Sequence, residues 1–405
     1  MFSLFKKPEE EIVAVFDIGN GSIGGSLVKF SKYDHPIILY THREPLTYIP
    51  HATPKHLVGG MLKLLKSVAS HLAKDGLMHI KTSPFGGHRL RDAHCVFASP
   101  WYISQTKVVK TTQEKPFTIV KDTLNDLVKK EQEEFNAAIK EGKYAEVFGP
   151  DAMLLEKRVI NIRVNGYAVD EPIGKQGREL ELTLFSSFIS KEILSEVENV
   201  LHASFAVRNI HHYSYAYVAW NGTTLMFPDI HDYFFVDVSG ETTDISLIVK
   251  DILVETISFP IGRSTLLRRV VKEMEISPDV ALSYLTMNYA GTLEKNFSEK
   301  LTGVLKPLEE EWRAEIIKIL TNLRQHYRLP RTTFLTSDSD TAGFFNSAVS
   351  KTLPVELNIP QSSLAVTFLS PDKVHPHVFE LEGVVHDSFI GIESVFLNAL
   401  FKNNQ

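Results

Sequence analysis

The stretch "VAVFDIGNGSIGGSLVKF" (Val13–Phe30) holds four glycines and one acidic residue near the amino terminus. A short β-branched segment precedes the glycines, as it does in a dinucleotide-binding loop, but the residues after them alternate and show no helical periodicity. Asn20 and Gly21 form a strong hairpin-turn signal. The stretch therefore predicts strand, turn and strand rather than a Rossmann unit. By itself it fits a plain β-hairpin as well as a phosphate-binding turn.

A second segment repeats this pattern far along the chain. Residues 234–249, "FFVDVSGETTDISLIV", again give an apolar strand, an aspartate, a turn of small residues and an apolar strand. Asp237 corresponds to Asp17, so two related halves are predicted. Two such turns facing one another across a cleft could direct backbone N–H groups at a polyphosphate from both sides. Each Asp could then hold a hydrated Mg²⁺ or orient the attacking water.

The paired motifs resemble those of the actin-like ATPase superfamily, with "DIGNGS" (17–22) as the first phosphate motif and "DVSGETTD" (237–244) as the second. Within it, the chain resembles the bacterial FtsA/PilM group, which includes a cell-division actin homologue and a type IV pilus assembly scaffold. The segments 159–190 and 252–270 are also similar to that group. The resemblance implies an α/β, actin-like two-lobe fold with ribonuclease-H-like halves and an inserted SHS2-type subdomain.

This resemblance implies a division of the chain. Lobe I is expected at 1–85 and 186–231, the SHS2-type insertion at 86–185, the core of lobe II at 232–263 and 331–405 with a terminal helix, and a helical subdomain at 264–330. Elements are expected as follows: strands at 12–18, 23–31 and 36–43, a helix at 54–74, a loop at 76–92, insertion strands at 93–100 and 103–111, a helix at 121–141, and a helix interrupted at Gly303 and Pro307.

The same resemblance implies a site for ATP with Mg²⁺. Asp17 and Asp237 would act catalytically by positioning the metal, through water, and the attacking water. The nucleotide-binding positions that the motifs imply are Gly19, Asn20, Gly21, Ser22, Ser239, Gly240, Thr242, Thr243, Thr336, Ser337 and Gly343.

Two of the three motifs depart from the family pattern. The family's adenosine-side motif is Leu-Thr-Gly-Gly-Gly-Ser, whereas Thr336 is followed here by Ser-Asp-Ser-Asp (337–340), and only Gly343 remains. In the second phosphate motif, Ser239 and Glu241 stand where glycine is usual. A like charge about 4 Å from a phosphate costs roughly 1 kcal/mol in water and several times that in a partly buried cleft. We therefore expect a weak or degenerate ATPase on a retained actin fold.

Composition limits the classes of function and the compartment. In 405 residues, 43 Lys and Arg stand against 49 Asp and Glu, and the net charge of −6 gives no support for nucleic acid as a partner. The one cysteine, Cys95, suits a reducing compartment and lies between apolar residues, as a buried thiol does. No apolar run reaches the roughly 18 residues of a membrane span, so a cytoplasmic protein is expected. The stub "MFSLFKKP" (1–8) fits either a weak membrane contact or a disordered end.

Three functions stay open at this point. The first is a scaffold at the inner face of a bacterial cell membrane, peripheral to it, which binds ATP weakly or not at all and acts through protein partners. Those partners would be the cytosolic tail of a membrane protein or a tubulin-like division protein, with self-association possible. The second is an active, filament-forming ATPase of the FtsA type, and the third is a small-molecule kinase of the same fold. The pairs His211/His212 and His375/His377 lack a recognisable zinc spacing.

Overall fold

The structure is a computed structural model that describes residues 9–85, 90–141, 151–357 and 365–403, so the stub 1–8 lies outside it. Its strands are β1 (Glu10–Ile18), β2 (Ser22–Ser31), β3 (Ile37–Pro45), β4 (Asp92–Phe97), β5 (Tyr102–Thr118), β6 (Ala152–Val164), β7 (Tyr167–Ala168), β8 (Gln176–Ser190), β9 (Asn209–Ser214), β10 (Tyr233–Val238), β11 (Thr243–Val249), β12 (Ile252–Phe259), β13 (Thr332–Ser337), β14 (Ala365–Phe368) and β15 (Phe379–Glu380).

The helices of the described ranges alternate with these strands. They are α1 (Pro54–His71), α2 (Leu77–Thr82), α3 (Lys121–Lys140), α4 (Lys191–Ser204), α5 (Tyr215–Met226), α6 (Arg263–Met274), α7 (Pro278–Tyr289), α8 (Lys295–Leu323), α9 (Ala342–Leu357), α10 (Pro371–Val374) and α11 (Ser388–Asn403), with a π-helical turn at Leu72–Gly76 and a 3₁₀ turn at His375–His377. Within those ranges, none of the helices combines the length and the apolar character needed to cross a bilayer.

Lobe I is built on a six-stranded sheet of order β15-β3-β2-β1-β4-β9. Side chains of β1 alternate between two cores, because successive residues of a strand point to opposite faces. Phe16 and its even-numbered neighbours pack with α1 and α4, whereas Val13 and Val15 pack with α5 and α11. A Cβ on Gly25 would lie 2.5 Å from Val68, so this glycine lets α1 approach the sheet closely.

Lobe II repeats the arrangement of lobe I in a five-stranded sheet of order β12-β11-β10-β13-β14. In both sheets three strands pair in antiparallel fashion, β3-β2-β1 in lobe I and β12-β11-β10 in lobe II, and two further strands then pair in parallel. The β10–β11 pair sets Asp237 opposite Asp244. Helices α6 to α9 pack on this sheet around the fully buried Trp312. The internal duplication predicted from the two Asp-containing segments is therefore present in the strand topology.

The inserted segment forms a separate four-stranded sheet of order β5-β8-β6-β7, with α3 packed against β5. The strand predicted at 93–100 does not belong to it. This strand, β4, pairs in parallel with β1 and with β9 inside the sheet of lobe I, and Cys95 on it is fully buried. The first boundary of the insertion was therefore wrong, and the separate sheet begins at β5. A strand buried on both faces is what a parallel sheet requires.

The carboxy-terminal residues also belong to a different lobe from the one that the sequence predicted. Strand β15 pairs with β3 of lobe I, and α11 packs on β2 and α5. The amide oxygen of Asn398 accepts a hydrogen bond from the backbone N–H of Ser31 at 2.8 Å. The assignment of the terminal helix to lobe II was therefore wrong, because an apolar helix face does not specify which sheet it will cover.

Two local predictions fail because tertiary packing overrides local signals. The loop expected at 76–92 begins as helix, since the π turn carries the chain from α1 into α2. A Cβ on Gly76 would lie 2.9 Å from the side chains of Leu27 and Tyr40, so glycine serves close packing here. Helix α8 runs uninterrupted through Gly303 and Pro307. Its buried face fills the core of lobe II and offsets the backbone hydrogen bond that a proline removes.

Candidate nucleotide cleft

The two predicted phosphate turns, between β1 and β2 and between β10 and β11, meet at the junction of the lobes. The side-chain carbonyl oxygen of Asn20 accepts hydrogen bonds from the hydroxyl of Ser239 at 2.9 Å and from the backbone N–H of Glu241 at 3.1 Å. A Cβ on Gly21 would lie only 3.0 Å from the Cα of Gly240, so neither position has room for a side chain. The turns therefore face one another, as the sequence predicted, but they touch.

The space between these turns is far smaller than a nucleotide needs. The cavity lined by Asp17, Gly19, Asp237 and Ser239 measures about 20 Å³, which is room for about one water molecule. Ligand pockets usually measure about 300–1,000 Å³. A nucleotide could enter only if the two turns separated.

Arg43, a residue on β3 that sequence reasoning missed, pairs with Asp17, one of the two aspartates expected to position the metal. Its guanidinium lies 2.8 Å from a carboxylate oxygen of Asp17 and makes two hydrogen bonds to Asp387, at 2.7 and 3.0 Å. It also donates to the hydroxyl of Ser22 at 2.9 Å. A Cβ on Gly24 would lie 2.5 Å from this guanidinium. This glycine, two residues after the first motif, therefore makes room for an arginine.

The two predicted catalytic aspartates are both buried beside the cavity. Burial raises the pKa of Asp17 to about 6, although the ion pair with Arg43 opposes the rise. Burial also raises the pKa of Asp237 well above its ordinary value, and the carboxylate of Asp244 adds to the effect. Asp237 accepts a hydrogen bond from the hydroxyl of Thr336 at 2.7 Å. These surroundings favour neutral or internally paired carboxyl groups over ligands for Mg²⁺.

The acidic residues that depart from the family motifs are each paired with an arginine of α6. Glu241 receives two hydrogen bonds from Arg268, at 2.8 and 2.7 Å. Arg263 bonds Asp340 at 2.9 Å and lies 3.4 Å from Asp338. Planar guanidinium groups suit such two-pronged pairing with carboxylates. Three carboxylates that the sequence set against a bound phosphate thus share two arginines, which offset part of their negative charge.

Not every predicted nucleotide-binding residue reaches the cleft. The hydroxyl of Thr243 donates to the carbonyl oxygen of Ile261 at 2.6 Å and accepts from the indole N–H of Trp312 at 3.0 Å, so it belongs to the core of lobe II. A Cβ on Gly343 would lie 2.5 Å from Tyr289, which places that glycine against α7. Neither residue lines the cavity between the turns, and these contacts explain both residue types by packing, so their contact with a nucleotide stays a prediction.

The remaining predicted residues lie close to the cavity and bond to one another. Thr242 places its hydroxyl 3.4 Å from that of Ser239, and the hydroxyl of Ser337 donates to the carbonyl oxygen of Asp338 at 3.2 Å. Gly19, Gly21, Ser22 and Gly240 line the cavity. Among these polar groups, Asn20 and Ser239 bond across the junction of the lobes, whereas the hydroxyls of Thr242 and Ser337 make contacts within lobe II.

No protein-family model matches this chain, and no curated protein matches its sequence. Among solved structures, a PilM-PilN type IV pilus biogenesis complex is similar over 99% of this chain and 100% of that chain, at 13% identity and a TM-score of 0.58. The ethanolamine utilization protein EutJ from Carboxydothermus hydrogenoformans covers 96% of this chain and 91% of its own, at 11% identity and TM-score 0.43. MreB 5 of Spiroplasma citri bound to AMPPNP is similar over 98% of this chain and 99% of that chain, at 9% identity and a TM-score of 0.44. The similarity to the first of these structures, at 13% identity, shows the fold alone, which is the actin-like fold that the sequence predicted.

Proposed function

We propose that this chain, with its actin-like ATPase fold, is a scaffold that acts through protein partners and keeps its interlobe cleft closed without a nucleotide. The observation that carries the proposal is the direct contact between the two phosphate turns, in which Asn20 takes the backbone N–H of Glu241. Arg43 adds to it by pairing with Asp17. The groups that would bind phosphate and metal are thereby engaged within the protein.

Energetics support weak or absent nucleotide binding. Opening the cleft breaks the hydrogen bonds that Ser239 and Glu241 donate to Asn20, and a buried donor left unsatisfied costs about 1–3 kcal/mol. Apparent affinity falls by the fraction of molecules in the open state. An opening free energy of about 2 kcal/mol therefore weakens apparent ATP binding by roughly thirtyfold. ATP with Mg²⁺ remains a cofactor only for such a rare open state.

The proposed setting is the cytoplasmic, inner face of a bacterial cell membrane, where the protein would serve type IV pilus assembly or cell division. The similarity in fold to a protein solved as a PilM-PilN pilus complex supports a protein partner in pilus assembly. That partner would be the cytosolic tail of a membrane protein, or a tubulin-like protein in the division setting. Self-association belongs to the same proposal.

One experiment tests the closed cleft. Purified full-length chain is titrated with MgATP by calorimetry and assayed for phosphate release. We expect no saturable binding below millimolar concentrations and no release above that of the buffer. Robust hydrolysis that Asp17→Ala and Asp237→Ala abolish would overturn the scaffold in favour of an active ATPase.

A second experiment tests the partner. The purified chain is floated with inner-membrane vesicles turned inside out, with the same vesicles after their exposed proteins have been removed by protease, and with liposomes of the extracted lipids. Binding to the untreated vesicles alone is expected. Equal binding to liposomes would indicate direct lipid contact, and no binding to any of the three would contradict a membrane-associated scaffold.

A further inference from the structure

Three side chains with metal-ligating atoms meet on lobe I, away from the cleft. His42 and Glu44 lie on β3, and His71 is the last residue of α1. One candidate ligand atom from each lies within 4.8 Å of the other two. Because side chains two apart on a strand share a face, His42 and Glu44 lie on the face opposite to that of Arg43.

The spacing of these atoms fits a small divalent cation. A carboxylate oxygen of Glu44 lies 3.0 Å from Nε2 of His42 and 3.5 Å from Nδ1 of His71. Zinc bonds of about 2.0–2.2 Å at tetrahedral angles separate neighbouring ligand atoms by about 3.4 Å. The two measured separations lie on either side of that value, so small side-chain shifts would suffice to bring an ion into contact with both histidines and the glutamate.

A fourth residue, Ser67 of α1, holds the cluster in place. Its hydroxyl donates to the same oxygen of Glu44 at 2.7 Å, a contact of the kind that orients metal ligands. Its backbone carbonyl, 3.0 Å from Nδ1 of His71, accepts a hydrogen bond from that atom, so Nδ1 must give up this bond and its proton before it binds an ion.

The three side chains combine accessibility with anchoring. Their exposed fractions are 28% for His42, 24% for Glu44 and 43% for His71, so an ion can reach them from solvent. The rings of the two histidines stack at 4.2 Å. Two imidazoles and one carboxylate form a ligand set of zinc sites that keep one position open for water. Mg²⁺, by contrast, prefers oxygen ligands alone.

We propose that His42, Glu44 and His71 form a binding site for a divalent transition-metal ion of the zinc class. The ion replaces the proton that His42 and Glu44 share, and water completes its coordination. It cross-links β3 to the end of α1, directly before the π turn Leu72–Gly76. Beyond the end of β3 at Pro45, Tyr48 packs against the core of lobe II, so the ion would brace the strand that leads to this contact. The proposal stands apart from the proposed scaffold function.

The test uses the full-length chain, stripped with a chelator and titrated with ZnCl₂ by calorimetry. We expect saturable binding in the micromolar range or tighter, and at least tenfold weaker binding for His42→Ala, His71→Ala and Glu44→Gln. His56→Ala, an exposed position on the same helix α1, is the matched control and should leave the affinity unchanged. MgCl₂ in the same titration should give no comparable binding.

Two further readouts separate this site from other histidines. Co²⁺ bound at the site should show visible ligand-field absorption that His42→Ala loses. His386→Ala, which alters a histidine beside Glu380, should retain it. Absence of any saturable zinc binding, or binding that falls with His386→Ala and not with the three cluster variants, would overturn the proposal and leave a hydrogen-bonded cluster. Circular dichroism of every variant confirms that it is folded.

Discussion

The side-chain carbonyl oxygen of Asn20 accepts a hydrogen bond from the backbone N–H of Glu241 at 3.1 Å, and this bond joins the two lobes. The donor belongs to the turn that would otherwise face a phosphate. Asn20 of the first motif thus supplies the oxygen that a bound phosphate would otherwise offer to the second motif. The cleft is therefore held closed by a side chain of the protein and not by a ligand.

Replacing Asn20 with alanine should destabilise the protein measurably. The change removes the acceptor for Ser239 and Glu241 and leaves their donors unsatisfied at a buried junction, which costs about 1–3 kcal/mol. The free energy of unfolding from urea denaturation measures the effect. Asn322→Ala, at an exposed position of α8, should change it by less than about 0.5 kcal/mol. Equal effects of the two substitutions would contradict the interlobe bond.

Replacing Arg43 with methionine should have a larger effect. Methionine keeps the length of the side chain, but it leaves Asp17 and Asp387 without their cation in a buried setting, which costs about 3–5 kcal/mol. The control is Arg269→Met, since Arg269 pairs with Glu311 on the surface and such pairs contribute at most about 1 kcal/mol. Chemical denaturation of both variants measures these losses in the free energy of unfolding. A loss below about 1 kcal/mol for Arg43→Met would show that the buried pair matters little.

Thr243→Val tests whether Thr243 serves the core of lobe II or contacts a nucleotide, as the sequence predicted. Valine has a similar shape but cannot accept the indole N–H of Trp312, and a buried donor left unpaired costs about 1–3 kcal/mol. The loss should appear in denaturation without any ligand. Thr112→Val, on an exposed stretch of β5, should be nearly neutral. If Thr243→Val instead left stability intact and removed a stabilisation by MgATP, the residue would be a nucleotide contact after all.

Glu156 should make stability depend on pH. It joins β6 to the start of α5 by accepting hydrogen bonds at 2.9 Å from the hydroxyl of Ser187 and the backbone N–H of Ser214. Burial raises its pKa from 4.5 to about 7, although these hydrogen bonds oppose the rise. Between those two values the native state keeps a proton that the unfolded chain has lost. The free energy of unfolding therefore falls as pH rises through this window.

The variant Glu156→Gln cannot titrate and isolates that contribution. The wild-type free energy of unfolding minus that of the variant should fall between pH 4.5 and 7, by at most about 1.4 kcal/mol per pH unit. Above pH 7 the difference should level off. Urea denaturation at closely spaced pH values measures it, and a difference that stays constant across the window would show that Glu156 ionises at its ordinary pKa.

Local patterns predicted the strands and turns because their signals act over a few residues. The β1–β2 and β10–β11 hairpins, with their turns at Asn20 and at Gly240, follow from alternation and turn-forming residue types. Arg43 was missed for a related reason. A single arginine in a strand gives no local sign that its side chain points into a cleft. Glycine at position 24 is explained only by the tertiary structure, in which the Arg43 guanidinium occupies the space that a side chain would need.

Residue patterns alone predict the two Asp-turn hairpins and their repetition, and the resemblance of these motifs to the actin-like superfamily implies the two-lobed fold. Long-range packing sets β4 and α11 into lobe I, brings the turns into contact and gives Glu241, Asp338 and Asp340 their arginine partners. The difference arises because hairpins form from neighbours in the chain. Pairs such as Asn20 with Glu241, or Arg43 with Asp387, form only after long-range packing has brought distant segments together.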